Sequence, residues 1–313
     1  MQPLICVVGP TACGKTALGI AIAKAYNGEV VSVDSMQIYR TMTIGTAAVT
    51  PEEMDGVPHH MVAIADPEDA YSAARFVAEA DACIQDILGR GKRPILVGGT
   101  GLYLDALVKG HGFAKGDATS QSRLQLQQRL AQEGIASLYA RLQQIDPEAA
   151  ARLHLNDEKR ILRALEVYLE TGQTISAHNA HTQTLPPKYE AVYIGLQFAD
   201  RQDMKDLIDL RVDKMVEAGL LAEVQRLMAS GLPHTATAFQ AIGYKEFLGV
   251  ETGELPLEEA IAVLKARSRQ YAKRQLTWLR KQPDIQWIYW EKKRDFAMAL
   301  RRSTEILTSL GVC

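Results

Sequence analysis

The sequence predicts an α/β fold: a P-loop parallel sheet flanked by helices, with an inserted helical domain. The apolar run at residues 4–8 leads into GPTACGKT, and a helical pattern begins at Lys15. Further strand-like runs begin at Glu29 and Arg93, with a helical pattern over residues 73–88 between them. Such alternation is typical of a parallel sheet with helices on its faces.

A long segment without strand-like runs interrupts this alternation. Between Gly112 and the next apolar run, AVYIGLQF at Ala191, we find only helical patterns and a polar loop at residues 176–188. We therefore predict a helical insertion domain at 112–188. The core domain then comprises residues 1–111 and 189–313, and its last part is predicted to be mainly helical, including one helix over 211–231.

Composition restricts the function classes. The chain has 313 residues, is 47% hydrophobic and carries a net charge of −2, so it can bury a large core. We find no apolar run of about 18 residues and no basic leader, and we expect a cytoplasmic protein without membrane contact. Its four cysteines are scattered without a C-x-x-C pair, which argues against structural zinc and favours an oxygen-ligated ion such as Mg²⁺.

The stretch GPTACGKT fits the phosphate-binding pattern G-x-x-x-x-G-K-S/T. In this loop, backbone N–H groups surround an anion and the lysine reaches its outer oxygens. A strand precedes the loop and a helix follows it, so the positive end of that helix faces the same anion. The pattern predicts a phosphate or pyrophosphate site, but it leaves the identity of the phosphate-bearing molecule open.

Two further strand ends are predicted to lie beside this loop. Asp34 follows the second strand, where it is a candidate magnesium ligand or general base; capping of a following helix is the alternative. The third strand ends in GGTG at residues 98–101 without the acid expected of a nucleotide-hydrolysing enzyme. These glycines permit either the close approach of another molecule or an ordinary tight turn.

The segment from Lys265 to Lys281 carries seven positive residues and no acid. On a helix, Lys265, Arg269 and Lys273 form a basic stripe beside a second face. That second face consists of Ile261, Leu264, Ser268, Tyr271, Gln275 and Trp278. The stripe is either a solvated helix face or a track for a polyanion.

Several motifs together resemble the tRNA dimethylallyltransferases of the bacterial type. They are GPTACGKT, VDSMQIYRTMTIGTA, PHHMVAIADPEDAYSAARF, PILVGGTGLYLDAL, NDEKRILRALEVYLETGQ and AIGYKE, in that order between about residues 4 and 280. The chain departs from the family at Cys13, where serine is usual, and it lacks the zinc finger of eukaryotic relatives.

The resemblance implies that the loop holds the pyrophosphate of dimethylallyl diphosphate. Asp34 would then be the general base toward the N6 amine of the adenosine adjacent to the anticodon, and Thr100 would contact that adenosine. Lys15 and Mg²⁺, with Thr16 as its protein ligand, would stabilise the leaving group. The implied diphosphate-binding residues are Gly9, Pro10, Thr11, Ala12, Cys13, Gly14, Lys15, Thr16 and Arg211.

The resemblance also implies contacts with the anticodon stem-loop of tRNA, made by a monomer. The implied residues are Asp34, Ser35, Met36, Gln37, Thr100, Arg123, Lys159, Arg160, Ile161, Leu162, Arg163, Phe239, Gln240, Ala241, Ile242, Gly243, Tyr244 and Lys245. In an alternative interpretation, KRILR at 159–163 is the lid of an ATP-binding P-loop small-molecule kinase. A nucleotide-switched binding protein is a third class, for which no base-reading motif is found.

Two expectations concern behaviour. The segment 112–188 is predicted to be a separately mobile lobe that closes on tRNA, with Arg160 and Arg163 on phosphates. Cys13 is predicted to be a reactive thiol with a lowered pKa, because loop N–H groups and a helix N-terminus surround it. The competing interpretation is that its side chain turns inward and packs as a small apolar group.

Overall fold

The computed structural model describes residues 3–110, 113 and 120–312. The chain divides into two compact units, one of Met1–Val108 with Tyr189–Cys313 and the other of Lys109–Lys188. The second unit ends where the predicted insertion ends and begins at Lys109, whereas the predicted boundary between residues 111 and 112 lies outside the described residues.

Six parallel strands form one sheet in the first unit, which confirms the predicted sheet. In spatial order the strands run β3-β2-β4-β1-β5-β6. They are β1 (Leu4–Val8), β2 (Gly28–Val33), β3 (His59–His60), β4 (Arg93–Gly98), β5 (Ala191–Phe198) and β6 (Gln286–Trp290). Every residue of β1 and β4 is buried, because helices cover both faces of the central strands.

The helices that the structure describes are, in chain order, α1 (Lys15–Ala25), α2 (Pro51–Met54), α3 (Ala73–Gly89), α4 (Gly101–Lys109), α5 (Gln121–Ile145), α6 (Pro147–Arg152), α7 (Glu158–Thr171), α8 (Ile175–Thr184), α9 (Arg201–Glu217), α10 (Leu220–Ala229), α11 (Tyr244–Glu251), α12 (Leu257–Leu279) and α13 (Phe296–Ser309). A 3₁₀ turn covers Ala238–Gln240. None of the helices in the described part is long and apolar enough to cross a bilayer.

Helices α5 to α8 build the second unit around its own apolar cluster. Leu126, Leu138 and Leu142 of α5 pack there with Ile161 and Leu165 of α7. Helix α5 is kinked at Gly134, whose backbone is non-helical with a φ of 76°. The cluster gives this unit a hydrophobic core separate from the two clusters of the first unit.

Three elements differ from the prediction. The polar segment 176–188 was predicted to be a loop, but most of it belongs to α8, whose N-terminus is capped by Thr174. The single helix predicted over 211–231 is broken at Gly219, which adopts a left-handed conformation. Strand β6 lies within the part predicted to be mainly helical, and it extends the sheet beyond β5.

Candidate functional site

The P-loop, defined here as residues 9–16, connects β1 to α1 at the carboxyl edge of the sheet. Gly9 is required by packing, since a Cβ there would lie 2.6 Å from both the Leu196 carbonyl oxygen and the Cys13 Sγ. Ala12 and Gly14 adopt left-handed backbone conformations, with φ of 63° and 92°. The loop therefore curves around the N-terminus of α1, where unpaired N–H groups favour an anion.

Two cations lie against this loop. Lys15 Nζ donates a hydrogen bond to the Pro10 carbonyl oxygen at 2.7 Å, so its side chain folds back along the loop. Arg211 comes from α9 and donates to the Thr46 carbonyl oxygen at 3.5 Å. Burial lowers the pKa of both groups, and the neighbouring Asp34 carboxylate opposes that shift. Such desolvated cations are stabilised by a bound anion.

Asp34 stands directly after β2 and faces the P-loop region. Its Oδ1 accepts hydrogen bonds from the backbone N–H groups of Met36 and Gln37, at 2.9 and 3.3 Å. The capping role is therefore real, but it stabilises a turn, since no helix follows in the structure. Oδ2 has no hydrogen-bond partner within the described ranges, so one oxygen fixes the carboxylate while the other stays available.

Thr100 lies beside Asp34 because their strands are neighbours in the sheet. Its Oγ1 accepts a hydrogen bond from the backbone N–H of Ser35 at 3.1 Å. Tyr271 of α12 interacts with the side chains of Thr100 and Gln275, and burial raises the pKa of its phenol to about 12. The predicted catalytic residues Asp34 and Thr100 are thus brought together next to a neutral tyrosine.

The glycine turn after β4 serves a contact within the chain. A Cβ on Gly99 would lie 2.2 Å from Gln275 Nε2, and one on Gly101 would lie 2.3 Å from the Trp278 ring. The buried Gln275 accepts from the Thr11 N–H at 2.8 Å and donates to the Gly99 carbonyl at 3.1 Å. The glycines at 99 and 101 therefore admit the close approach of α12, and Gln275 ties the P-loop to the end of β4.

Two adjoining cavities converge on Asp34. The larger, of about 260 Å³, is mainly apolar; its lining includes Asp34, Met36, Ile208, Val212, Met215, Ala241, Ile242, Leu264, Ser268, Tyr271 and Arg274. The smaller, of about 70 Å³, is lined by P-loop residues and by Ser32, Asp34, Gln37 and His59. Thr11, Asp34, Arg211 and Tyr271 line both cavities, so a phosphate compartment adjoins an apolar one.

His59 is a site residue that the sequence did not reveal. Its Nε2 is buried and has no hydrogen-bond partner in the part of the chain that the structure describes. Burial lowers the pKa of the imidazole, while its Nδ1 lies 2.8 Å from the Val57 carbonyl oxygen. The side chain therefore lines the phosphate cavity in its neutral form.

Two of the three cations in the basic stripe of α12 form ion pairs within the chain. Lys265 binds Asp213 and Arg269 binds Asp209, each at 2.6 Å, across the contact between α12 and α9. Near the end of the helix, Lys273, Arg274 and Lys281 line a surface pocket with Trp278. Only this second part of the segment therefore keeps cations available for a polyanion.

Cys13 contradicts the prediction of a reactive thiol. Its side chain is fully buried in the core beside Ile5, Val7 and Leu196, so the inward-packing alternative is correct. Burial raises the pKa of the thiol, and the opposing effect of Lys15 is smaller. The lowering effects of Lys15 and of the backbone N–H groups are outweighed by burial, so the helix N-terminus does not activate this thiol.

We expect iodoacetamide to modify Cys13 more slowly than Cys83. Cys13 is buried, whereas Cys83 is partly exposed, and alkylation requires an accessible thiolate. Peptide mapping after timed labelling of the native protein measures both rates. Labelling of Cys13 ahead of Cys83 would contradict the buried position, and Cys83→Ser serves as the control for peptide assignment.

Two predicted tRNA-contact segments divide into buried and exposed side chains. In 239–245, Phe239, Ala241, Gly243 and Tyr244 are buried, whereas Gln240 and Lys245 are exposed and Ile242 is intermediate. In 159–163, Ile161 and Leu162 are buried in the core of the second unit, and Lys159 and Arg160 are exposed. The buried side chains pack the fold, and contact of these segments with tRNA stays a prediction.

The buried Tyr244 is hydrogen-bonded to Glu223, which also binds the loop after Asp34. This carboxylate accepts hydrogen bonds from the backbone N–H groups of Thr43, Ile44 and Gly45, between 3.0 and 3.1 Å. The Tyr244 hydroxyl donates to it at 2.5 Å, and burial raises the pKa of that phenol. Tyr244 and Glu223 therefore hold the loop that follows Asp34, and this loop keeps the Asp34 carboxylate in place.

Two further cations of the second unit share one carboxylate. Arg123 and Arg163 both contact the buried Glu166, at 3.3 and 3.0 Å. Their guanidinium groups are thereby fixed near one carboxylate, which reduces the net charge they offer to a phosphate. Contact of Arg123 and Arg163 with tRNA stays a prediction.

At Asp34 a P-loop cavity adjoins an apolar cavity. This arrangement is typical of a transferase that takes its group from a phosphorylated donor. Residues 37–282 match the IPP transferase family and residues 2–63 match isopentenyl transferase. The chain belongs to the tRNA dimethylallyltransferase family.

Relatives and solved structures cover nearly the whole chain. The tRNA dimethylallyltransferase of Carboxydothermus hydrogenoformans is 46% identical over 99% of this chain and 98% of its own length. The tRNA isopentenylpyrophosphate transferase of Bacillus halodurans is similar in structure, with a TM-score of 0.73, 41% identity, and coverage of 99% of this chain and 96% of the other. A eukaryotic dimethylallyltransferase described as acting on tRNA gives a TM-score of 0.84 at 31% identity, over 99% and 80% of the two chains.

Proposed function

We propose that this protein transfers the dimethylallyl group of dimethylallyl diphosphate to the N6 amine of the adenosine adjacent to the anticodon in tRNA. The observation that carries this proposal is the junction at Asp34, where the P-loop cavity meets the apolar cavity. A diphosphate ester with a short branched hydrocarbon has the same division into charged and apolar parts. The named family and its tRNA-directed relatives support the same substrates.

The P-loop side binds the leaving group. Backbone N–H groups at the start of α1, the Lys15 ammonium and the Arg211 guanidinium face the phosphate cavity. As the allylic C–O bond breaks, its electron pair leaves with the diphosphate, and these positive groups stabilise the growing charge. A preorganised set of donors does this without rearrangement during the reaction.

Asp34 acts on the nucleophile. The N6 lone pair is delocalised into the adenine ring, so attack on the allylic carbon requires removal of an amine proton. The free Oδ2 of Asp34 accepts that proton while Oδ1 stays fixed by Met36 and Gln37. Thr100, next to it, contacts the entering adenosine, which must leave its base stack to reach the cavity.

The site fits a magnesium ion that takes few of its ligands from the protein. The described residues contain no group of three or more His, Cys, Asp or Glu side chains that could hold a metal by themselves. Mg²⁺ at a phosphate site commonly uses one or two protein oxygens, with phosphate oxygens and water as the other ligands. Thr16 supplies such an oxygen beside Lys15 in the phosphate cavity. When bound, the ion neutralises charge on the diphosphate.

Contacts with tRNA are proposed for exposed groups. Lys159 and Arg160 are exposed at the start of α7, and Gln240 and Lys245 are exposed in the segment that borders the apolar cavity. We propose a monomer as the active form.

We expect replacement of both Lys159 and Arg160 by alanine to weaken tRNA binding and to flatten its salt dependence. Each lost phosphate contact reduces the slope of log K against log salt by about 0.7 to 0.9. Binding titrations at several salt concentrations measure this slope. The matched control is Arg201→Ala with Lys205→Ala, two exposed cations of α9. A slope equal to that of the control would show that Lys159 and Arg160 face away from the RNA.

The experiment that tests the proposed function supplies two labelled donors. Purified protein is incubated with Mg²⁺, unmodified tRNA and labelled dimethylallyl diphosphate, and in parallel with a labelled γ-phosphate of ATP and candidate small acceptors. Transfer of the prenyl label to tRNA supports the proposal. Phosphate transfer without prenyl transfer would support a P-loop kinase and overturn it.

A further inference from the structure

We infer that Arg294 is a further diphosphate-binding residue, held over the P-loop by the C-terminal segment 286–296, which lies beyond the match to the IPP transferase family at residues 37–282. This inference rests on the proposed function and adds one side chain to its leaving-group site.

Strand β6 is bonded directly to the P-loop. Trp290, at the end of β6, is fully buried, and its indole Nε1 donates a hydrogen bond to the Cys13 carbonyl oxygen at 2.8 Å. Its ring meets the Phe296 ring edge to face, with centroids 5.5 Å apart. The segment between these two aromatic residues is therefore anchored at both ends against the loop.

Phe296 and Arg294 lie against the outer side of Gly14. A Cβ on Gly14 would lie 3.0 Å from the Phe296 ring and 3.3 Å from Arg294 Cδ. The guanidinium carbon of Arg294 is 5.9 Å from the centroid of the Phe296 ring. Contact with an aromatic face restricts a long side chain, so Arg294 is positioned beside the loop although it is exposed.

Positive charge is in excess around this outer side. A cavity of about 530 Å³ there is lined by P-loop residues from Ala12 to Thr16 and by four cations, Lys15, Arg211, Lys214 and Arg294. Its one acid, Glu53, accepts a hydrogen bond from the Thr50 N–H at 3.0 Å in the cap of α2. The cavity therefore has a net positive charge that an anion of several negative charges would balance.

Arg294 and the exposed Lys214 are the two members of this set not yet assigned to the leaving group, and of these Arg294 packs against Gly14 of the P-loop. Lys15 is bonded to the Pro10 carbonyl and Arg211 to the Thr46 carbonyl. For Arg294 the structure shows no acidic partner within residues 3–110, 113 and 120–312. Its charge is nevertheless felt at the site, since it adds to the burial that lowers the pKa of Arg211. A guanidinium fork is suited to phosphate oxygens, which it can bind in pairs.

The test compares Arg294→Ala with Lys293→Ala, which removes the same charge from an adjacent exposed residue outside the cavity. Calorimetric titration with inorganic pyrophosphate and Mg²⁺ gives the Kd, and steady-state kinetics gives KM for dimethylallyl diphosphate and for tRNA. For Arg294→Ala we expect the Kd for pyrophosphate and the KM for dimethylallyl diphosphate each to rise about tenfold or more, since charge-assisted hydrogen bonds are lost. KM for tRNA should stay unchanged, and Arg294→Lys should recover part of the affinity because it keeps the charge.

The outcomes separate this inference from the proposed function. Pyrophosphate affinity and KM values in Arg294→Ala equal to those of Lys293→Ala would overturn the role of Arg294, while prenyl transfer by the unmodified protein would leave the proposed function standing. A wild-type protein that neither binds pyrophosphate nor transfers the prenyl group would overturn both. An equal loss of pyrophosphate affinity in both alanine variants would also overturn the role of Arg294, because the loss would then come from the reduced net charge and not from a contact made by Arg294.

Discussion

Replacement of Asp34 by alanine is expected to lower the single-turnover rate of prenyl transfer by about 10²- to 10⁴-fold, with little change in tRNA affinity. The reason is that Oδ2 is the one carboxylate oxygen of this residue left free to take the N6 proton, since Oδ1 is bonded to the turn. Rapid-quench measurement with saturating tRNA and dimethylallyl diphosphate isolates this chemical step.

Asp34→Asn is the matched control for that result. The amide oxygen of asparagine can still accept from Met36 and Gln37, so the turn is kept while the base is lost. We expect Asn and Ala to be similarly slow. A fast Asn variant beside a slow Ala variant would mean that the carboxylate matters for the turn and not as a base.

Replacement of Lys15 by alanine is expected to lower kcat by about 10²- to 10³-fold, the magnitude found when one donor to a developing negative charge is removed. Lys15 lies at the P-loop with its ammonium desolvated; burial lowers its pKa, and the neighbouring Asp34 carboxylate opposes that shift. Steady-state rates at saturating dimethylallyl diphosphate measure the loss.

Lys24→Ala provides the comparison within the same helix. Lys24 lies in the last turn of α1, where it pairs with the exposed Asp55 on the surface. Exposed pairs of this kind contribute little to stability, so this variant should keep its rate. If Lys15→Ala raised KM alone and left kcat intact, the lysine would bind substrate and transition state equally, contrary to its proposed role.

The phosphate loop and the central sheet could be predicted from the sequence because their causes are local. Strands β1 and β4 are buried on both faces and therefore appear as continuous apolar runs. The loop pattern is short and contiguous, and the following helix begins at the predicted residue, Lys15. Asp34 could be placed because parallel strands end at one edge of the sheet.

Features that depend on distant parts of the chain could not be predicted. Gln275 contacts Thr11 across 264 residues, and nothing local distinguishes it from other glutamines on a helix. Glu223 likewise meets backbone groups about 180 residues earlier. Cys13 was assigned from its helix N-terminus, whereas its surroundings are set by Leu196 on a neighbouring strand.

A family motif includes residues that support an interface as well as those that form it, and the tRNA contacts of this chain stay a prediction. Ile161 and Leu162 lie between cations in the sequence, yet a helix turns them toward the core. Tyr244 is buried against Glu223 for the same reason of packing. The exposed positions Lys159, Arg160, Gln240 and Lys245 are those that mutagenesis should address first.

We propose that one junction, at Asp34, brings a leaving diphosphate and an adenosine amine together. The decisive measurement is to incubate the protein with unmodified tRNA, dimethylallyl diphosphate and Mg²⁺, digest the RNA, identify the modified nucleoside by mass spectrometry and quantify the released diphosphate. We expect N6-dimethylallyladenosine from the position adjacent to the anticodon, with one diphosphate released for each nucleoside formed. Diphosphate release without a prenylated adenosine, or prenylation at another atom, would contradict it.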